Sequence, residues 1–269
     1  MCELLGMSAN VPTDICFSFS GLMQRGGQTG PHTDGWGIAF YEDRGCRLFH
    51  DPAASADSEI ARLIGRYSIK SCTVISHIRQ ATHGRVSLEN THPFRRELWG
   101  RPWVFAHNGK LPGVKGWPLG MDRPIGTTDS EHAFCWLMAQ LRERFPRRPS
   151  RPETVWRYVF HLATELSTLG TFNMLMSDGR VLYAFCGTHL SWITRRAPFG
   201  AARLKDAEME VDFSRLTTPN DVVTVIATHP LTTNEVWQTM TPGSMVVFQG
   251  GLPTLFDPAG RLSRPQESP

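Results

Sequence analysis

Two apolar stripes at helical spacing lie in the middle of the chain. Ala133, Phe134, Leu137 and Leu141 form the first, and Val155, Val159, Leu162 and Leu166 form the second. Short runs rich in β-forming residues flank the pair on both sides. Residues 38–41, 72–78 and 103–106 precede it, and 172–176, 181–185, 190–194, 222–227 and 245–248 follow. Helices gathered between two groups of strands predict an α+β layered fold, two sheets covered by helices. At 269 residues one large domain over 1–269 accommodates all of it. The composition is 41% hydrophobic and 20% charged, which excludes a disordered chain.

Further local signals fill in this frame. Ile15, Phe17, Phe19 and Leu22 predict a short helix over 14–23, feeding a glycine-rich, mobile loop at 24–32. The strand at 38–41 pairs with 46–50 across a turn at 42–45, and Ile60, Leu63 and Ile64 mark a helix within 58–67. The strand at 103–106 delivers His107-Asn108-Gly109 to its end. Glycine and proline over 110–126 predict an ordered loop over the site. Thr128-x-x-Glu131 is a capping-box signature with Asp129 in the first helical turn. The basic stretch 142–152 reads as a solvated connector.

Several function classes are disfavoured. A net charge of +3 gives no reason to invoke nucleic acid unless basic residues gather on one face. The six cysteines include no C-x-x-C pair, against a disulfide framework or structural zinc. No run of about 18 apolar residues predicts a membrane span, and no basic-then-apolar leader opens the chain, so the expected location is the cytoplasm.

The chemistry-bearing residues concentrate between Ser76 and Asp129: Ser-His-Ile-Arg-Gln-Ala-Thr-His-Gly (76–84), Asn-Thr-His-Pro-Phe (90–94), Phe-Ala-His-Asn-Gly (105–109) and Gly-Thr-Thr-Asp-Ser-Glu (126–131). Such a mixture suits a site that grips a small zwitterion and stabilises an oxyanion. Far upstream, Cys2 is small enough that the methionine before it is normally removed. Thiol and free α-amine would then share one residue, and an amine with a pKa of about 7.7–8.0 can take the thiol proton. Each residue also has a plainer reading. Cys2 could be an inert buried thiol, Asp129 could only complement the helix dipole, Asn108-Gly109 is a common turn dipeptide, and Arg79 could be a surface ion-pair residue. His77, His83, His92 and His107 match no familiar zinc spacing. A papain-like pair needs a cysteine that starts a helix, whereas Cys2 precedes a strand pattern.

Taken as an ordered set, Cys2, the 76–84 segment, 90–94, His107-Asn108-Gly109 and Thr128-Asp129 resemble the class II glutamine amidotransferases. Asp34-Gly35-Trp36-Gly37-Ile38-Ala39-Phe40 and the lack of an appended synthase domain are most similar to stand-alone YafJ-type members. The resemblance implies the N-terminal nucleophile hydrolase fold, a four-layer αββα sandwich with two mostly antiparallel sheets between helical layers. It implies Cys2 as nucleophile toward the glutamine side-chain amide, through a γ-glutamyl thioester, and Asn108 and Gly109 as the oxyanion hole. Arg79 would hold the substrate α-carboxylate and Asp129 its α-ammonium, with Thr82, His83 and His92 shaping the pocket. No cofactor or metal is implied. The partners implied are a small-molecule substrate and a separate synthase that receives the ammonia. One departure stands out: synthase-linked members often carry tryptophan after Arg79, where this chain has Gln80. The alternatives are an amidase for another γ-glutamyl amide, with the 110–126 loop selecting the remainder, and a non-catalytic glutamine-sensing module if Met1 is retained.

Overall fold

The computed structural model describes residues 2–81, 85–215 and 218–263. In chain order the first elements are β1 (Glu3–Thr13), α1 (Cys16–Gln24), β2 (Trp36–Glu42), β3 (Gly45–Asp51), α2 (Glu59–Arg66) and β4 (Ser71–Ile78). Then come β5 (Phe94–Leu98), β6 (Arg101–Lys110), α3 (Asp129–Arg144), α4 (Pro152–Ser167), β7 (Thr171–Ser177) and β8 (Leu182–Cys186). The chain continues through β9 (Ser191–Arg196), β10 (Ala201–Arg203), β11 (Glu210–Asp212), β12 (Val222–Ala227) and β13 (Gln238–Thr239). Last are β14 (Ser244–Gln249), β15 (Leu252–Phe256) and β16 (Leu262–Ser263).

Two seven-stranded sheets carry the architecture. The first runs β13-β9-β12-β1-β4-β2-β3 and the second β16-β15-β14-β8-β7-β6-β5, every pairing antiparallel, with β10-β11 as a separate ribbon. The period-2 alternation of each strand sorts its residues into layers. In β6, Trp103 and Phe105 pack with Phe134, Leu137 and Val159 of α3 and α4, while Val104 and Ala106 face the other sheet. In β1, Leu5 and Met7 pack with Phe19, Leu22 and Ile64 of α1 and α2, while Leu4 faces inward to meet Val104 and Leu175 in the space between the sheets. A side chain on Gly6 would press within 3.0 Å of Leu182 and 3.1 Å of Leu175, so glycine lets the sheets close there. The result is the expected αββα sandwich. Strands buried on both faces read as continuous apolar runs, which is why they were visible in the sequence.

Several local expectations change. His107, Asn108 and Gly109 do not follow a strand; they lie within β6 and pair with β7, which excludes the turn reading of Asn108-Gly109. The loop at 24–32 is tied down, with Gln28 and Thr29 N–H donating to Gln24 O and Ala56 N–H donating to Gly26 O. The middle of the 110–126 loop runs along α3, with Gly120 packed on Ala139 and Asp122 paired with Arg142. The capping box is half formed. Thr128 Oγ1 accepts the Glu131 N–H at 3.1 Å, but the Glu131 carboxylate turns to Arg96 and to the N–H groups of Ile125 and Gly126. Nor is the 142–152 stretch wholly solvated, because Arg148 pairs with the buried Asp178.

Candidate active site

Cys2 lies one residue before β1, whose register with β4 puts Glu3 opposite Ile78. The thiol therefore arrives beside the segment leaving β4. Gln80 N–H donates to Cys2 Sγ at 3.4 Å, and the thiol faces Gln80 O at 3.6 Å. Burial pushes the Cys2 thiol above its ordinary pKa, and the Gln80 N–H and the Arg79 charge only partly oppose that. A thiol so placed needs a base before it becomes a nucleophile. The strand behind it is held firmly. Leu4 exchanges bonds with Thr228, Leu4 N to Oγ1 at 2.9 Å and Thr228 N to Leu4 O at 3.1 Å. Glu3 pairs with the buried Arg25 at 3.0 Å, and Arg25 also meets Asp206 at 2.8 Å and the carbonyls of His229 and Pro230. Sequence reasoning missed Arg25, whose only cue was a lone arginine opening a glycine-rich loop.

The alternation that puts Val104 and Ala106 between the sheets carries Asn108 there as well, on the same side as Cys2. Asn108 Nδ2 donates to Cys2 O at 2.5 Å, while its Oδ1 is buried with no hydrogen-bond partner among the described residues. Its strand neighbour Asn173 was also missed by the sequence reading. Asn173 Nδ2 donates to Asn108 O at 3.2 Å, and its Oδ1 accepts the N–H groups of Gly187, Thr188 and His189 at 3.1, 3.0 and 3.2 Å. A lone asparagine inside the apolar run Thr-Phe-Asn-Met-Leu was the available signal. At Gly109 a Cβ would fall 1.8 Å from Thr171 O, so no other residue fits between β6 and β7 there. His107 points to the helical side, with Nε2 3.1 Å from Thr171 O and Nδ1 2.8 Å from Ser130 Oγ. A carbonyl can only accept, so Nε2 carries the proton and Nδ1 receives the Ser130 hydroxyl.

Arg79 is buried, with 4% of its surface exposed, which excludes the surface ion-pair reading. Among the described residues its guanidinium meets only carbonyls, Arg85 O at 3.2 Å and Asp34 O at 3.5 Å. A planar fork of this kind suits a carboxylate. Asp129 stands at the first turn of α3. Its Oδ1 accepts its neighbour Ser130 N–H at 2.9 Å, and its Oδ2 accepts Leu111 N–H at 2.8 Å. The carboxylate thus joins the helix start to the chain two residues beyond Gly109. Asn90, buried between these two regions, links them. Its Nδ2 donates to Arg85 O at 3.1 Å, and its Oδ1 accepts Thr127 N–H at 2.7 Å. His92 stacks on His77 with ring centroids 4.2 Å apart and on Phe94 at 4.4 Å. Thr82, His83 and Met1 lie outside the described residues.

Cys2, Asn108 and Arg79 therefore converge where β1, β4 and β6 meet, and Asp129 is joined to them through Leu111. The whole chain, residues 1–268, matches the family model described as glutamine amidotransferases class-II. The chain belongs to the class II glutamine amidotransferases. YafJ of Escherichia coli K12, which is provisionally named a glutamine amidotransferase, is 63% identical over 92% of this chain and 97% of its own length. The 2.0 Å crystal structure of a predicted glutamine amidotransferase from Pseudomonas aeruginosa PA01 is 56% identical. It covers 94% of this chain and 99% of its own, with a TM-score of 0.76. The allosteric regulatory enzyme of purine biosynthesis, at 15% identity and a TM-score of 0.57, shares the fold over 99% of this chain and half of its own. Among the described residues no helix of this amidotransferase is long and apolar enough to cross a membrane.

Proposed function

We propose that this class II amidotransferase hydrolyses the side-chain amide of glutamine, with Cys2 as the attacking group and the whole chain serving as one catalytic domain. The observation that carries the reading is the Asn108 amide donating to the Cys2 backbone carbonyl at 2.5 Å, which brings an oxyanion donor to the residue that bears the thiol. Removal of Met1 frees the α-amine to take the thiol proton. The sulfur adds to the amide carbon, and the oxygen becomes an anion facing Asn108 Nδ2 and the Gly109 N–H. Collapse breaks the C–N bond, a proton goes to the departing nitrogen, and ammonia leaves. Water then cleaves the γ-glutamyl thioester to glutamate and restores the thiol. Arg79 supplies the planar fork for the α-carboxylate, and Asp129 supplies the negative charge for the α-ammonium.

A separate synthase would receive the ammonia. Glutamate release by purified protein lacking Met1, measured beside a Cys2→Ala variant, tests the reading. Release above that variant is expected, and equal release would refute it.

A further inference from the structure

One edge of each sheet, β3 in the first and β5 in the second, borders the same groove. Between them runs an open groove of about 630 Å³, with Gly45 and Cys46 on one wall and Arg95 and Arg101 on the other. Arg123 and Ile125 close it from the loop that precedes α3. Arg95 reaches across to Cys46 O at 3.5 Å.

Four of the nearby carboxylates are already committed to other arginines. Glu131 pairs with Arg96, Asp178 with Arg148, Glu42 with Arg47 and Asp122 with Arg142. Among the described residues Arg44, Arg95, Arg101 and Arg123 form no ion pair and touch only carbonyl oxygens. Just beyond the groove, burial first and then the charges of Arg148, Arg101 and Arg44 hold Arg180 below its ordinary pKa. A chain of net charge +3 thus gathers a local excess of positive charge by folding.

We infer that this groove docks an acidic, extended segment of a partner protein. Planar guanidinium forks suit carboxylates, and arginine is enriched at protein interfaces. Ile125, 79% exposed, adds an apolar side chain at the lip of the groove. Glu97 also lines the groove. A continuous polyanion would have to pass that carboxylate, whereas a peptide with spaced carboxylates need not.

Glu131, the partner of the groove residue Arg96, also receives the Ile125 and Gly126 N–H groups at 3.0 and 2.7 Å. A docked segment would therefore rest against the turn that leads into Asp129. The inference does not depend on the glutaminase reading.

The probe is a short fluorescein-labelled peptide of glutamate and leucine, followed by fluorescence anisotropy at low salt, with a labelled DNA duplex beside it. Wild type is expected to bind the peptide in a salt-sensitive manner. Arg95→Glu combined with Arg123→Glu should weaken binding by at least about tenfold while leaving the melting temperature unchanged. Should charge reversal disturb the fold, Arg95→Gln with Arg123→Gln gives the same test. No binding by wild type, equal binding by the variants, or tighter binding of the duplex than of the peptide would each overturn the inference.

Discussion

Acid should unfold this protein through its buried histidines. The rings of His77 and His92 are buried and stack on each other at 4.2 Å. Burial, then the nearby His107 and Arg79, holds His77 down to about 3 against an ordinary 6.5, and burial with the neighbouring His77 holds His92 well below it. The folded state therefore refuses a proton that the unfolded chain accepts below about 6.5, so stability is lost as pH falls through that value. For His77 the loss continues toward pH 3 and approaches about 1.4 kcal/mol per pH unit. Between pH 8 and 4.5 it sums to about 2.7 kcal/mol, and His92, held down for the same reason, deepens the loss. The His77 share alone is a sizeable part of the 5–15 kcal/mol typical of a domain. Urea unfolding across this range measures the slope. His77→Phe should flatten it by about one proton's worth, whatever the substitution does to stability at pH 8. An unchanged slope in that variant, or stability independent of pH between 6.5 and 4.5, would refute the reasoning.

Three substitutions probe the strands around the site. Gly109→Ala places a methyl 1.8 Å from Thr171 O, so β6 and β7 must part, and a loss of at least about 3 kcal/mol is expected in urea melts. Asn108→Ala should lower kcat for glutamine hydrolysis by about 10²–10³ in steady-state assays, the usual cost of one oxyanion donor. Asn173→Leu strands the N–H groups of Gly187, Thr188 and His189, so calorimetry should show a loss of about 2 kcal/mol or more.

Apolar run and period made most of the layers legible. Residues 222–227 were read as the strand that they form, because a β-branched run buried on both faces leaves little alternative. β5 was invisible because Phe-Arg-Arg-Glu-Leu is an edge strand whose three middle residues are charged, and such charges read as loop. The short β10, β11, β13 and β16 carry too few residues to show a period.

At the site, the residues with distinctive chemistry, Cys2, Arg79, Asn108 and Asp129, stood out. Those that hold them did not. Arg25 and Asn173 act on groups brought together from distant segments, and such partners have no local signature. The pairing of Asn108 with Asn173 also turned an apparent turn dipeptide into the interior of a strand.

The most direct test of the central claim is peptide mass mapping of the wild-type protein, acid-quenched during turnover of glutamine. The N-terminal peptide is expected to begin at Cys2 and to carry a γ-glutamyl group on its thiol. Glutamate release by protein whose N-terminal peptide still begins at Met1, or an adduct on any other residue, would contradict it.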